Sequence, residues 1–365
     1  MSVVFLLAPG APEITNEEED VRSRRHTNTA RRWLFSGAVL SLLALIAFGV
    51  GACGSSSSSS ASTSPSPSAT AAGKTLIVFG AGTLATPFTQ EIAAFKAENP
   101  GATVNSHFGA SGDDVKMITQ LGEPCDALGV ADYSLIPREM FSSGGKSYAS
   151  WYVGFVSNQI TFAYTAHSKG AAQLTPSNWY KILAEPGVRI GRSTPLADPS
   201  GYQILEALKL AQTYYHDPTL SASVLKNSPS SAAAETETSL LGALQSGQID
   251  YLAIYRSDAL QNHLKYINLP PQISLSDPAL AKSYATVSAP GPTGMVTGKP
   301  IIYGLTVPSN APNSALGEQF VAFVLSPKGQ TIMRANGFVV ISPALASSTS
   351  AIPASMSSLT QPWPK

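Results

Sequence analysis

Cysteine is almost missing from this chain: only Cys53 and Cys125 occur in 365 residues. Two cysteines cannot build a disulfide framework, and no Cys/His spacing suits zinc. An excess of one charge is missing too. Lys+Arg and Asp+Glu number 23 each, and all charged residues make up only 13%. Without a basic excess there is no footprint for nucleic acid, and without an acidic run there is no solvating tail. The five histidines are scattered. What the chain does have is 44% hydrophobic residues and length for about two domains.

Residues 1–53 read as an export signal rather than part of the fold. Arg24, Arg25, Arg31 and Arg32 precede an apolar run from Trp33 to Val50, followed by Gly51-Ala52-Cys53. Charged start, apolar middle and small residues before a cut make a secretory signal. The cysteine directly after the small pair resembles a bacterial lipobox, which makes Cys53 the lipidated mature N-terminus. The other reading is a transmembrane anchor, since the run is about long enough to span. Arg31-Arg32 loosely resembles a twin-arginine signal. Residues 54–73, rich in Ser, Thr, Pro and Ala, cannot bury a core and read as a flexible tether. Five acids and five arginines precede Cys53, so the remainder stays balanced. With Cys53 lipidated, Cys125 stands alone and reads as a small, semi-buried residue.

Beyond the tether, strand and helix patterns alternate. Thr75–Phe79, Val104–Phe108 and Cys125–Val130 read as strands; Pro87–Asn99 has Phe88, Ile92 and Phe95 at helical spacing. Later strands are expected near Gln159–Thr165, Arg189–Gly191, Tyr251–Tyr255 and Lys299–Val307. A last helix is expected over Leu316–Leu325, continuing to Arg334. This pattern predicts an α/β fold of two lobes. Lobe 1 is expected to be discontinuous, 74–163 plus 295–345, with lobe 2 at 164–294 and a C-terminal tail at 346–365. Ligands on such sheets bind beyond the strand ends, at helix N-termini, here facing an interlobe cleft.

Two carboxylates sit where an anion ought to bind. Asp198 lies in Asp198-Pro199-Ser200-Gly201-Tyr202, before the apolar run from Ile204, and Glu237 lies just before Leu240, Leu241 and Leu244. Both stretches read as helix starts, which attract anions through unpaired N–H groups. An acid there is ordinarily a cap; the alternative is a ligand. Thr83, Ser111, Ser200 and Tyr255 place hydroxyls in the corresponding loops. Hydroxyls and backbone amides without Lys or Arg suit a small dehydrated oxyanion, although Thr83, Ser111 and Ser200 are each, taken alone, also ordinary N-caps.

Two enzyme-like patterns are weaker. Gly80-x-Gly82-x-x-Ala85 after a strand resembles a dinucleotide fingerprint, but the second strand ends at His107-Phe108 with no ribose-binding acid. Gly109-Ala110-Ser111-Gly112-Asp113 nearly makes a nucleophile elbow, with Asp113 in place of the last glycine and no histidine in a triad context. No catalytic residue and no cofactor are assigned.

Taken together, Phe79–Leu84, Ala131-Asp132-Tyr133, Asn158–Thr165, Ser177–Tyr180, Asp198–Tyr202, Glu237-Thr238, Gln245–Tyr251, Tyr255-Arg256-Ser257 and Gly298–Gly304 resemble the molybdate/tungstate-binding lipoproteins of ABC importers, especially their archaeal-type branch. The resemblance covers nearly all of 75–345. It implies the two-lobe periplasmic-binding-protein type II fold, with the ligand in the interlobe cleft at Gly82, Thr83, Ser111, Asp198, Pro199, Ser200, Glu237 and Tyr255. It also implies that Asp198 and Glu237 approach the Mo or W centre and expand it to six-coordination, which sulfate and phosphate cannot follow. The implied partners are an ABC permease and its ATPase subunits, with a monomeric receptor held to the extracytoplasmic face of the cell membrane by its lipid. Thr83 stands where the family has Ser, and Ser200 where it often has Cys. Another small oxyanion, sulfate or phosphate, on the same scaffold is the alternative.

Overall fold

The computed structural model describes residues 75–363 other than 143. The signal segment, Cys53 and the tether lie outside the described residues. Among the described residues, thirteen strands form two main sheets and a hairpin. In chain order they are β1 (Thr75–Ala81), β2 (Thr103–Gly109), β3 (Ala127–Val130), β4 (Val153–Ser157), β5 (Ile160–Tyr164), β6 (Ile190–Gly191) and β7 (Tyr251–Tyr255). There follow β8 (Lys265–Tyr266), β9 (Ser288–Gly291), β10 (Gly294–Thr297), β11 (Ile302–Thr306), β12 (Val339–Ala346) and β13 (Thr360–Pro362).

The larger sheet has the order β13-β12-β4-β11-β3-β1-β2, and the smaller β6-β7-β5-β8. β1 pairs parallel with β2 and β3, as the alternation of strand and helix requires. β11 runs antiparallel between β3 and β4, because it returns from the second lobe. The expected amphipathic helix spans Ala85–Glu98 and buries Phe88 and Phe95. Both rings meet Phe320 edge-on, at 5.8 and 5.5 Å, locking this helix to the helix Ser314–Leu325. Gly129 lets β3 pass beneath: a Cβ there would lie 2.8 Å from Leu84 and 3.0 Å from Phe88.

Three expectations change. The strand Ile160–Tyr164 pairs with β7 and β8, so it belongs to the smaller sheet, and the chain changes sheets at Asn158-Gln159 rather than at 163. The helix expected to run on to Arg334 is two helices. Ser326 ends Ser314–Leu325 and caps Pro327–Ala335, accepting from the Gly329 amide at 3.3 Å. Pro327 has no N–H to continue the first helix and sits well at the start of the second. Finally, the end of the chain is not a tail. Ile352 and Met356 are buried, β13 pairs parallel with β12, and Trp363 lies 4.5 Å from the Tyr133 ring. Its Ser/Pro-rich composition concealed a few anchoring apolar residues.

Cys125 is fully buried rather than semi-buried, its thiol 3.2 Å from the Ala127 carbonyl. Burial pushes that thiol far above its ordinary range, which removes nucleophilic character. Among the described residues, no helix is long and apolar enough to cross a membrane.

Candidate ligand site

The two acids are built differently. Asp198 is extended and accepts from the Ser200 amide at 2.9 Å, with Pro199 opening the helix Pro199–Tyr214. It is therefore a true N-cap. Glu237 has helical backbone angles, caps nothing, and precedes only a 3-10 turn and the short helix Leu241–Gln245. The capping explanation fails for it. Ser200 Oγ donates to Glu237 Oε2 at 2.7 Å. Since that uses the Ser200 proton, the close Ser193 hydroxyl donates to Ser200. Ser200 thus links Ser193, Asp198 and Glu237, all buried.

Thr83 and Ser111 are not caps either. Thr83 lies in a 3-10 turn after β1, 3% exposed, with its hydroxyl 3.0 Å from that of Tyr303. Ser111 opens the helix Ser111–Thr119, and its Oγ accepts from the Ala131 amide at 3.1 Å. Among the described residues, no histidine hydrogen-bonds to that hydroxyl. Gly82 and Gly112 mark where the lobes meet. A Cβ on Gly82 would lie 2.8 Å from Thr238 Oγ1, next to Glu237. The Gly112 amide donates to the Ala197 carbonyl at 2.8 Å, next to Asp198. The first two loops of one lobe therefore close on the two acid-bearing loops of the other. Tyr255 is buried, and its hydroxyl donates to Gln203 at 2.7 Å, while its ring meets Tyr303 at 5.8 Å.

Four contributors were not anticipated. Asn158, at the change of sheets, donates to Ser257 at 2.8 Å and to Tyr303 at 3.2 Å. Tyr303 carries the Thr83 contact. Ser193 completes the serine relay. Asp258 is 2% exposed, and one of its carboxylate oxygens has no partner. Asn158 and Tyr303 stand inside stretches already singled out, but a buried role for either depends on strand pairing. Asp258 gave no signal beyond lying three residues after Tyr255.

The electrostatics follow from burial without cations. Among the described residues, no lysine or arginine pairs with Asp198 or Glu237. Burial, reinforced by Glu237, holds the Asp198 carboxyl well above the usual range; the Ser200 amide opposes this. Burial raises Glu237 as well, with the Ser200 hydroxyl pulling the other way. Asp258 is raised by burial and then by Glu237. The Glu237 carboxyl is also in hydrogen-bond contact with that of Asp198. Such a site resists full ionisation of its acids and leaves lone pairs uncommitted.

A separate buried acid gives a stability prediction. Glu206, on the helix that Asp198 caps, is 1% exposed and lies near Lys299, Asp132 and Lys209. Burial raises it to about 8 from 4.5; Lys299 opposes, Asp132 reinforces, and Lys209 opposes. Its folded value exceeds its unfolded value, so the native protein holds the extra proton between them. Unfolding free energy should then fall as pH rises from about 4.5 to about 8, with a slope approaching about 1.4 kcal/mol per pH unit. Urea titrations of wild type and Glu206→Gln across that range test this. The difference between them should track the window, and a constant difference would reject it.

Two α/β lobes joined by crossing segments, with polar loops closing on each other between them, define a binding protein that encloses a small solute. Residues 76–339 match the bacterial extracellular solute-binding proteins. The chain belongs to that family, whose role is binding for transport rather than catalysis. It is 38% identical over 299 residues to the molybdate/tungstate-binding protein WtpA of Pyrococcus abyssi, covering 74% of this chain and 86% of that one. An uncharacterized solute-binding protein of Petrotoga mobilis is also 38% identical, over 73% of this chain and 84% of its own. Among solved structures, the periplasmic molybdate-binding protein of Azotobacter vinelandii aligns with a TM-score of 0.52 at 18% identity, covering 73% of this chain and 99% of that one. The sulfate-binding protein SubI of Mycobacterium tuberculosis aligns equally well, at 0.52 and 15% identity, over 73% and 86%. At these identities the likeness speaks for the fold alone, the type II periplasmic-binding-protein architecture.

Proposed function

We propose that this protein captures molybdate or tungstate between its lobes and delivers it to an ABC permease and its ATPase subunits. It does so as a monomer, tethered through a lipid on Cys53 at the extracytoplasmic face of the cell membrane. One observation carries the ligand reading: two buried acids, Asp198 and Glu237, share a hydroxyl relay, and among the described residues no lysine or arginine pairs with either. Carboxylates repel the oxygens of sulfate or phosphate. A hexavalent Mo or W centre can instead accept their lone pairs, so the acids become ligands to the cargo and a filter against the rest. Thr83, Ser111, Ser200, Tyr255 and the backbone around Gly82 and Pro199 would then surround the oxyanion's own oxygens.

The relatives named for molybdate and tungstate, at 36–38% identity, support the reading. Calorimetry of the full-length protein with tungstate, molybdate, sulfate and phosphate tests it. Binding of the two metal oxyanions alone is expected; preference for sulfate, or no heat with either metal oxyanion, overturns it. Loss of lipid labelling in Cys53→Ala is the matching test of the anchor.

A further inference from the structure

Three stretches singled out in the sequence contribute residues that the acid site does not use. They are Asp132 in Ala131-Asp132-Tyr133, Tyr202 at the end of Asp198–Tyr202, and Lys299 in Gly298-Lys299-Pro300. In space all three meet at one carboxylate. Asp132 follows β3 of the larger sheet and is 1% exposed. Its Oδ1 accepts from the Ser134 amide at 2.9 Å, which fixes the side chain. Its Oδ2 accepts from Tyr202 at 2.8 Å and pairs with Lys299 at 2.9 Å.

Each partner comes from a different part of the molecule. Tyr202 lies in the first turn of the helix Pro199–Tyr214, fully buried against Ala289 and Val296 of the β9–β10 hairpin. Lys299 lies between β10 and β11, where the chain returns from the second lobe to the larger sheet. A single buried oxygen therefore joins one lobe, the other lobe and their connection. We propose that Asp132, Tyr202 and Lys299 form a latch that holds the lobes closed and so sets how long a solute stays bound. This rests on the reading that the interlobe cleft is where the solute binds.

Separating the lobes breaks the Tyr202–Asp132 bond, because the two residues belong to opposite lobes. A charge-assisted bond in dry surroundings is stronger than the water contacts that replace it, so the latch favours the closed form. Tyr202 is also one helical turn from Asp198. Holding its hydroxyl fixes the rotation of the helix whose N-terminus carries Asp198 and Ser200. Burial alone would raise Asp132, but Lys299, the Ser134 amide and the Tyr202 hydroxyl together hold it below the usual carboxylate range. It therefore stays ionised where Asp198 and Glu237 resist ionisation. None of the three residues hydrogen-bonds to Thr83, Ser111, Asp198 or Glu237, so their role is positioning.

Tyr202→Phe keeps the ring and removes only the hydroxyl, and Asp132→Asn keeps the shape. Stopped-flow measurement of tungstate with the full-length protein should show dissociation at least about tenfold faster in both. Association should change by less than about threefold. Lys299→Met should behave like them, and Lys299→Arg should stay near wild type. Small-angle scattering of the ligand-free Tyr202→Phe protein should report a more open population than wild type. If wild type takes up neither tungstate nor molybdate, the ligand assignment fails, and ligand-free scattering alone decides the latch. Folded Tyr202→Phe and Asp132→Asn proteins that release tungstate and scatter as wild type does would overturn it.

Discussion

Replacing Glu237 by Gln is expected to weaken tungstate binding by about 100-fold or more while raising the melting temperature of the ligand-free protein. Both effects have one cause. Glu237 is 1% exposed, with one oxygen accepting from Ser200 and its carboxyl in hydrogen-bond contact with that of Asp198, the two acids facing each other with no cation paired to either among the described residues. A buried acid without a cation costs stability, and a second acid nearby adds to the cost. Glutamine removes the charge and keeps the volume, so the empty site relaxes. A buried charged partner is typically worth about 2–5 kcal/mol to its complex, which sets the scale of the loss.

The stability gain carries a pH signature. Burial holds the folded carboxyl above its unfolded value, so the unfolded chain ionises first and the unfolding free energy falls as pH rises past the unfolded value. The advantage of Glu237→Gln should accordingly be small in acid and grow towards neutral pH. Calorimetric titration and thermal melts at pH 5 and pH 8 check both halves. A variant that binds tungstate as wild type does would return Glu237 to a structural role. Asp198→Asn is the companion, because asparagine caps a helix as well as aspartate does. Loss of binding without loss of stability there would separate ligation from capping.

Gly112→Ala is expected to weaken binding by at least about tenfold without unfolding the protein. An added Cβ would lie 2.5 Å from the Ala197 carbonyl oxygen and 2.9 Å from Pro292, both across the cleft. The first is backbone, adjacent to Asp198, and has no side-chain freedom with which to yield. The lobes must therefore stand apart, and the bond from the Gly112 amide to Ala197 is lost. A lost backbone hydrogen bond plus incomplete enclosure amounts to roughly 1.5 kcal/mol or more, hence the factor of ten. Within its own helix, alanine is favoured over glycine by up to about 1 kcal/mol, so ligand-free stability should hold or rise. Weakened binding together with a more open ligand-free form in small-angle scattering would identify closure as the step affected. Gly82 is the milder case, because its Cβ would meet the Thr238 hydroxyl, which can rotate away.

Local sequence patterns carried much of the fold. The strands β1, β2 and β3 and the helix Ala85–Glu98 follow from apolar periodicity, which depends only on near neighbours. The break at Ser326-Pro327 was present in the sequence as a proline. Apolar residues continue beyond it at Ile332 and Met333, which masks the break. The anchored end at Ile352, Met356 and Trp363 was hidden by a composition that usually means a linker. The change of sheets at Asn158 could not be read at all, since β4 and β5 are both apolar and only pairing separates them.

What the sequence by itself determined was the set of chemical groups: hydroxyls at Thr83, Ser111 and Ser200, and acids at Asp198 and Glu237. It also placed Asp198 at a helix start, because Asp-Pro before an apolar run is a local signal, and left open whether the acid caps that helix. Only the tertiary structure decided that Glu237 caps nothing, that Ser200 donates to it, and that Tyr202 and Lys299 converge on Asp132. Caps are made within a few residues of the chain and leave their mark there. Burial, and bonds between residues 37 or 70 positions apart, depend on how two lobes close, and no short stretch of sequence encodes that.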